Sequence, residues 1–330
     1  MHDSFFLLLC VIFLALVFDF INGFHDTATA IATSVSTRAL TPKAAVAMAT
    51  VLNLLGALSG TAVAKTVGAG LVQAASITQI TVISALTSAI LWDLITWYLG
   101  LPTSSSHAIL SGIVGAAVAT AGVNVIIQEG VLKVLSALIL SPLIGFVLSY
   151  FFMLALNWGF NRSTPTLVSN LFSRLQIISA AYMAFSHGSN DAQKTMGIIT
   201  MALVSYYHLP QFNVPFWVMV LCATAMALGT AFGGWKIMKT LGLRLVQLRF
   251  IHGFAAQTSA ATIIEIASRL GLPLSTTHVI SSTIMGVGAS KRFSAVRWGV
   301  GGNIVLAWIL TIPACILLAW LICKGLHLVF

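Results

Sequence analysis

Apolar residues run through this chain in ten blocks, each close to the roughly 20 residues that carry a helix across a bilayer. They cover about residues 4–37, 44–64, 79–99, 104–122, 131–156, 175–207, 215–235, 250–270, 274–290 and 298–323. The first run, Ser4 to Ile21, has no positively charged lead-in and continues directly into polar residues, so it reads as a span and not as a cleaved signal. Five blocks fill residues 1–156 and five fill 175–330, joined by a short cytoplasmic linker at 157–174 that carries Arg162, Pro165 and Arg174. The pattern predicts an all-α integral membrane protein.

Polar residues interrupt this pattern in two repeated ways. The first is Asn22-Gly23-Phe24-His25-Asp26-Thr27, answered by His187-Gly188-Ser189-Asn190-Asp191. The second is Gly100-Leu101-Pro102-Thr103-Ser104-Ser105-Ser106-His107, answered by Gly271-Leu272-Pro273-Leu274-Ser275-Thr276-Thr277-His278. Asp26 and Asp191 are 165 residues apart and His107 and His278 are 171 apart, so two motifs recur in one order at nearly one offset. With five crossings per half, the second copy enters the membrane from the opposite side. The expectation is two inverted five-crossing repeats, with discontinuous or re-entrant helices and a site at the midplane between them.

Composition narrows the class further. At 58% hydrophobic and 7% charged residues, a soluble multidomain protein is excluded. The net charge of +9 reflects few acids and reads as topology, with no nucleic-acid partner implied. With the N-terminus outside, eleven of the 16 Lys and Arg residues fall in cytoplasmic loops, and both termini lie outside. The four cysteines, Cys10, Cys222, Cys315 and Cys323, have no metal-ligand spacing.

A carboxylate in hydrocarbon costs about 2.5–3.5 kcal/mol even on the mildest insertion scale, so Asp26 and Asp191 must face a protein interior or a water path. Each Gly-Leu-Pro followed by hydroxyl residues reads as a chain break and a helix start, with Ser or Thr capping free N–H groups. Ser104, Ser105 and Ser106, with Ser275, Thr276 and Thr277, would then surround a tetrahedral oxyanion with hydroxyl and amide donors; phosphate and sulfate both fit. The plainer reading is of hydroxyls bonding to the preceding turn. Asp26, Asp191, Asn22 and Asn190 form an oxygen-rich set for a coupling ion, together with carbonyls released by a polar break at Gly23 and Gly188; a proton would use the same carboxylates. His25, His187, His107 and His278 belong to the motifs as caps or proton relays. Asp19, Asp93 and Glu265 are further proton candidates, and Lys194 pairs with Asp191, attracts the anion or reaches for the surface. Small residues in blocks two, four and nine favour close helix packing, whereas 131–156, 215–232 and 304–323 look lipid-facing.

These motifs resemble the inorganic phosphate transporter (PiT) family, whose halves each carry a Gly-x-Asn-Asp-like and a Gly-x-Pro-x-Ser-Thr-Thr-His-like motif. The stretches Ile21 to Ala28, Ala184 to Lys194 and Gly271 to His278 are similar to its bacterial, low-affinity branch. The resemblance implies a symporter of inorganic phosphate in the cytoplasmic membrane, a homodimer with both termini outside. Asn53 and Gln257 stand where sodium-dependent eukaryotic members carry glutamates, which implies proton coupling in preference to sodium and places both amides in the polar shell. Some members of that branch carry phosphate as a neutral complex with a divalent metal. The long cytoplasmic insert of other relatives is absent.

Three rivals stand beside this reading. One is a sodium-coupled phosphate or sulfate permease, since hydroxyl and amide donors serve either anion. Another is a membrane-embedded metal hydrolase, which would want three close ligands and an open position, as in His-Glu-x-x-His; no such spacing is present, and no metal site, cofactor or catalytic residue is assigned. The third is a passive channel, for which paired broken helices and buried acids are poorly suited.

Overall fold

In lipid every backbone N–H and C=O must be satisfied within the chain, so aliphatic runs of this length fold as helices. The structure, a computed structural model, describes residues 5–73 and 77–329, without the side chains of Thr27 and Val329. The helices are α1 Phe5–Ser36, α2 Pro42–Ala57, α3 Ala62–Ala69, α4 Gln79–Leu99, α5 Ser105–Ala121 and α6 Gln128–Gly159. They continue with α7 Pro165–Tyr207, α8 Phe216–Phe232, α9 Trp235–Lys239, α10 Phe250–Arg269, α11 Thr276–Lys291 and α12 Trp298–Val329. No strand occurs among the described residues; the single bridge pairs Val72 with Ile126.

Helices α1, α4, α6 and α12 are long and apolar enough to cross a membrane. Two bent pairs, α2–α3 at 69° and α8 with Trp235–Leu245 (α9 and the turn after it) at 59°, bring the number of spans to as many as six if each pair is one. The remaining blocks of the sequence pattern are α5, α7, α10 and α11, of which α7 is rich in buried polar side chains. Residues 157–174 are helical except for 160–164, because Thr164 caps α7 and Pro165 starts it, well before the expected edge of the sixth block.

The two Gly-Leu-Pro breaks are built alike. Gly100 and Gly271 take the left-handed conformation, with φ of +69° and +67°. Leu101 N–H then returns to the Thr96 carbonyl at 3.0 Å and Leu272 N–H to the Ala267 carbonyl at 2.8 Å, which stops α4 and α10. Beyond each break Ser104 and Ser275 cap α5 and α11, accepting from the backbone N–H of His107 and His278 at 3.1 and 3.2 Å.

The expected polar break at the first motif pair is absent. Both α1 and α7 run unbroken through residues 22–26 and 187–191, so no backbone carbonyls are released there. Gly23 and Gly188 serve packing instead: an added Cβ would strike the Met226 carbonyl at Gly23 and the Asn53 carbonyl at Gly188. Gly229 and Gly56 complete the same crossings from the other side, against the carbonyls of Phe20 and Phe185. Close approach of small residues holds α1 on α8 and α7 on α2.

Packing across the halves recurs beside packing within each half. Helix α5 packs on α12 and α11 packs on α6; α4 lies on α1 as α10 lies on α7. The buried apolar side chains form two clusters, one reaching from Leu8 to Cys323 and the other from Ala28 to Trp308, and α1 and α7 contribute to both. Between the clusters lies a polar layer. The outer faces of α6, α8 and α12 expose Leu143, Phe151, Phe216, Leu228, Ile309 and Leu317, as expected for surfaces that meet lipid.

Candidate functional site

The polar layer gathers all four motif segments. Asp26 on α1 and Asp191 on α7 are both buried, and their oxygens lie with an imidazole nitrogen of His187 within 4.8 Å of one another. Such convergence on one point is what a single small cation would need, and no local spacing announced it because the ligands come from two helices.

Asp26 Oδ1 is bonded to His25 Nδ1 at 2.8 Å and accepts from the Thr277 hydroxyl at 3.0 Å. Asp191 Oδ2 accepts from the Thr276 hydroxyl at 2.8 Å, and Asp191 Oδ1 is paired with the Lys194 ammonium. Lys194 is 1% exposed; it donates as well to Ser106 Oγ and, at 2.9 Å, to the Leu274 carbonyl. Of the three roles open to Lys194, the structure places it on Asp191. Ser106 hands its own hydrogen to the Leu274 carbonyl at 3.1 Å, which joins the start of α5 to the break before α11.

The helix starts meet at His107 and His278, whose rings stack with centroids 4.4 Å apart; Trp308 continues the stack on His278 at 3.8 Å and donates to the Pro102 carbonyl at 3.0 Å. The motif hydroxyls are not equivalent. Ser104 and Ser275 are committed to capping, Thr276 and Thr277 to the two acids, and Ser106 to Leu274. Ser105 Oγ, Asn22 Oδ1, His107 Nδ1 and His278 Nε2 are buried without a hydrogen-bond partner among the described residues.

His187 carries a constraint that follows from its neighbours. The Thr230 hydroxyl gives its hydrogen to the Met226 carbonyl at 3.0 Å, so it accepts from Asn53 Nδ2 at 3.0 Å. Asn53 therefore turns Oδ1 toward His187 Nδ1, 3.0 Å away, and that nitrogen must donate. His187 Nε2 is left 3.2 Å from Asp191 Oδ2. In a neutral ring both of these atoms would present lone pairs; a second proton on the ring turns the contact into an ion pair, off the line of a hydrogen bond.

Other predicted residues sit farther from this point. Asn190 faces the second chain break, donating to Ser268 Oγ at 2.9 Å and to the Leu272 carbonyl at 3.4 Å. Gln257 donates to the Ala30 carbonyl at 3.1 Å and accepts from Ser179 at 3.1 Å, which ties α10 to α1 and α7. Glu265 is drawn toward the surface by Arg269, its partner at 2.9 Å. Asp19 and Asp93 are fully buried, with Thr195 and Cys222 beside Asp19 and Ser105 beside Asp93. His25 Nε2 lies 3.4 Å from Thr96 Oγ1, one turn along α4 from Asp93.

The sequence matches the model of the phosphate transporter family twice, over residues 22–169 and 160–319. It is 47% identical over 315 residues to the probable low-affinity inorganic phosphate transporter of Rhizobium meliloti (strain 1021), covering 95% of this chain and 94% of that one. It is likewise 47% identical over 310 residues to the probable low-affinity inorganic phosphate transporter of Bacillus subtilis (strain 168), covering 93% of each. A solved structure described as the sodium-dependent phosphate transporter superposes with a TM-score of 0.89 at 26% identity, covering 98% of this chain and 100% of that one.

Proposed function

This chain belongs to the phosphate transporter family, a membrane transporter and not an enzyme, and on that premise we propose that it is a secondary active symporter carrying inorganic phosphate with protons. The observation that carries the proton reading is the His187–Asp191 contact. With His187 Nδ1 committed to Asn53, the 3.2 Å approach of Nε2 to Asp191 Oδ2 is attractive when the imidazole carries a second proton and forms an ion pair with the carboxylate.

Charge in the polar layer points the same way. Among the described residues four acids, Asp19, Asp26, Asp93 and Asp191, are buried there beside one permanent cation, Lys194. Adding a phosphate anion to such a layer raises its negative charge, and moving it through a low-dielectric interior requires positive charge to travel with it. Protons on the acids and on His187 supply that charge without a metal cage. The anion then meets the starts of α5 and α11, where the hydroxyl hydrogens of Ser104 and Ser275, which capping leaves unused, join Ser105 as donors and the helix dipoles favour an oxyanion. The two halves rock about this layer, with both termini outside the cytoplasmic membrane, as the distribution of basic residues implies. The broad apolar faces of α6 and α12 are suited to lipid and to a second copy of the chain.

A second reading, in which phosphate travels as a neutral complex with a divalent metal, is favoured by the convergence of Asp26, His187 and Asp191 within 4.8 Å. Sodium coupling, named in the description of the solved relative, is less favoured because the ammonium of Lys194 already pairs with Asp191.

Labelled phosphate uptake into proteoliposomes tests these readings, with a proton gradient and a sodium gradient imposed separately, divalent metals present or chelated, and sulfate in excess. Uptake driven by the proton gradient, indifferent to chelation and to sulfate, is expected. Uptake that follows only the sodium gradient overturns the proton reading, and loss of uptake on chelation replaces it with the metal complex.

A further inference from the structure

Lys194 is a charged side chain in the middle of a membrane protein, and every hydrogen on its ammonium has an acceptor. An ammonium carries three N–H donors; here they go to Asp191 Oδ1, Ser106 Oγ and the Leu274 carbonyl. The three oxygens come from three separate elements: α7, the first turn of α5 and the break before α11. One carboxylate, one hydroxyl and one backbone carbonyl are the kind of hard oxygen ligands that coordinate alkali cations in transporters built from broken helices. The lysine thus occupies a cation's place, and its stem reaches there from one turn past Asp191 on the same helix.

We propose that the Lys194 ammonium is a tethered cation filling an oxygen cage formed by Asp191, Ser106 and Leu274, and that this renders phosphate uptake independent of a free monovalent cation. The inference rests on the proton-symport reading. A mobile ion in this cage would arrive with the substrate and leave with it, adding one charge to each cycle. A tethered one stays. It neutralises Asp191 throughout, and it links the starts of α5 and α11 whether or not an anion is bound, so the charge that accompanies phosphate must come from protons alone.

A lysine that merely filled space would be replaceable by methionine, which matches its length. Removing the ammonium instead leaves a buried carboxylate with a hydroxyl and an imidazole as its only partners, and such an uncompensated charge in the interior is strongly unfavourable. A free cation of the right size would restore the balance.

The test uses the full chain in proteoliposomes, comparing wild type, Lys194→Met and Lys194→Asn in choline chloride and in sodium chloride of equal concentration. Labelled phosphate uptake and the melting temperature of each protein are both read. Wild type is expected to behave alike in the two salts. Lys194→Met is expected to lose uptake by at least about a hundredfold in choline. Lys194→Asn, which adds a neutral oxygen and frees the cage, is expected to melt higher in sodium than in choline and to gain about tenfold or more in uptake from sodium. A Lys194→Asn protein that folds only in sodium supports the proposal equally.

Undiminished uptake by Lys194→Met in choline overturns the proposal. So does a Lys194→Asn protein whose uptake and melting are both blind to sodium, including one that fails to fold in either salt. The wild-type arm keeps the two readings apart: uptake driven by a sodium gradient in wild type removes proton symport by itself, whereas a failure confined to the variants removes only the tethered cation.

Discussion

Thr276 and Thr277 are neighbours in sequence and donate to different acids. Thr276 reaches Asp191 on α7 at 2.8 Å, and Thr277 reaches Asp26 on α1 at 3.0 Å. One turn of α11 thereby joins the two copies of the acidic motif, and the hydroxyls read from sequence as anion ligands are in direct contact with the acids read as coupling groups. Movement of α11 would break both bonds together.

The first prediction concerns that turn. Thr277→Val is expected to weaken uptake by about tenfold, since a hydrogen bond to a charged group is worth roughly 1.5–3 kcal/mol. Thr277→Ser, which keeps the hydroxyl, should restore most of it. Proteoliposome uptake at matched protein content measures both, and a Thr277→Val protein as active as wild type would detach Thr277 from transport.

Asp191→Asn is expected to abolish concentrative uptake while the protein remains inserted. The change removes the negative charge that both Lys194 and a proton on His187 require. Unchanged accumulation against a gradient would take Asp191 out of the coupling machinery.

Asn53→Leu offers a sharper probe of the proton. Without the Asn53 carbonyl, His187 can carry its single hydrogen on Nε2, facing Asp191, while neutral. Uptake should then depend less on an imposed proton gradient, measured as the ratio of initial rates with and without that gradient. A ratio equal to the wild-type value would show that Asn53 does not set the tautomer.

Gly188→Ala should destabilise the fold by about 1–3 kcal/mol, the usual range for overpacking, because the new methyl group meets the Asn53 carbonyl. Gly159→Ala is the control: nothing lies within 4 Å of a Cβ there. Thermal unfolding in detergent should fall for the first and hold for the second.

Much of the architecture was legible because lipid leaves few choices. Long apolar runs had to be helices, and Gly100-Leu101-Pro102 and Gly271-Leu272-Pro273 announced chain breaks that the left-handed glycines and serine caps provide. The acidic motifs misled in one respect. Polarity in the middle of a span was read as a break, yet nothing in Asn22-Gly23-Phe24-His25-Asp26 prevents a continuous helix, and the glycine there answers a neighbouring carbonyl and not a turn. Helical register also rearranges the motif pairing. With the aspartates aligned, Asn22 corresponds to His187 and His25 to Asn190, so the two copies carry the same pair of residues in exchanged places. Contacts such as Asn53 with His187, 134 residues apart, carry no local signal; they arise because α2 meets α7 in the folded chain.

The exchange of partners between the halves also bears on how the protein is made. When the ribosome has delivered only the helices through α6, α1 has reached the membrane without α8, and Gly23 has no Met226 to close upon. Asp26 waits for Thr277, more than two hundred residues downstream. A chain in this condition has His25 beside Asp26 but lacks the hydroxyl that α11 brings to it. The first half alone therefore lacks both the partners that close its small-residue crossings and the second half of its polar layer, so it cannot stand as a half-transporter.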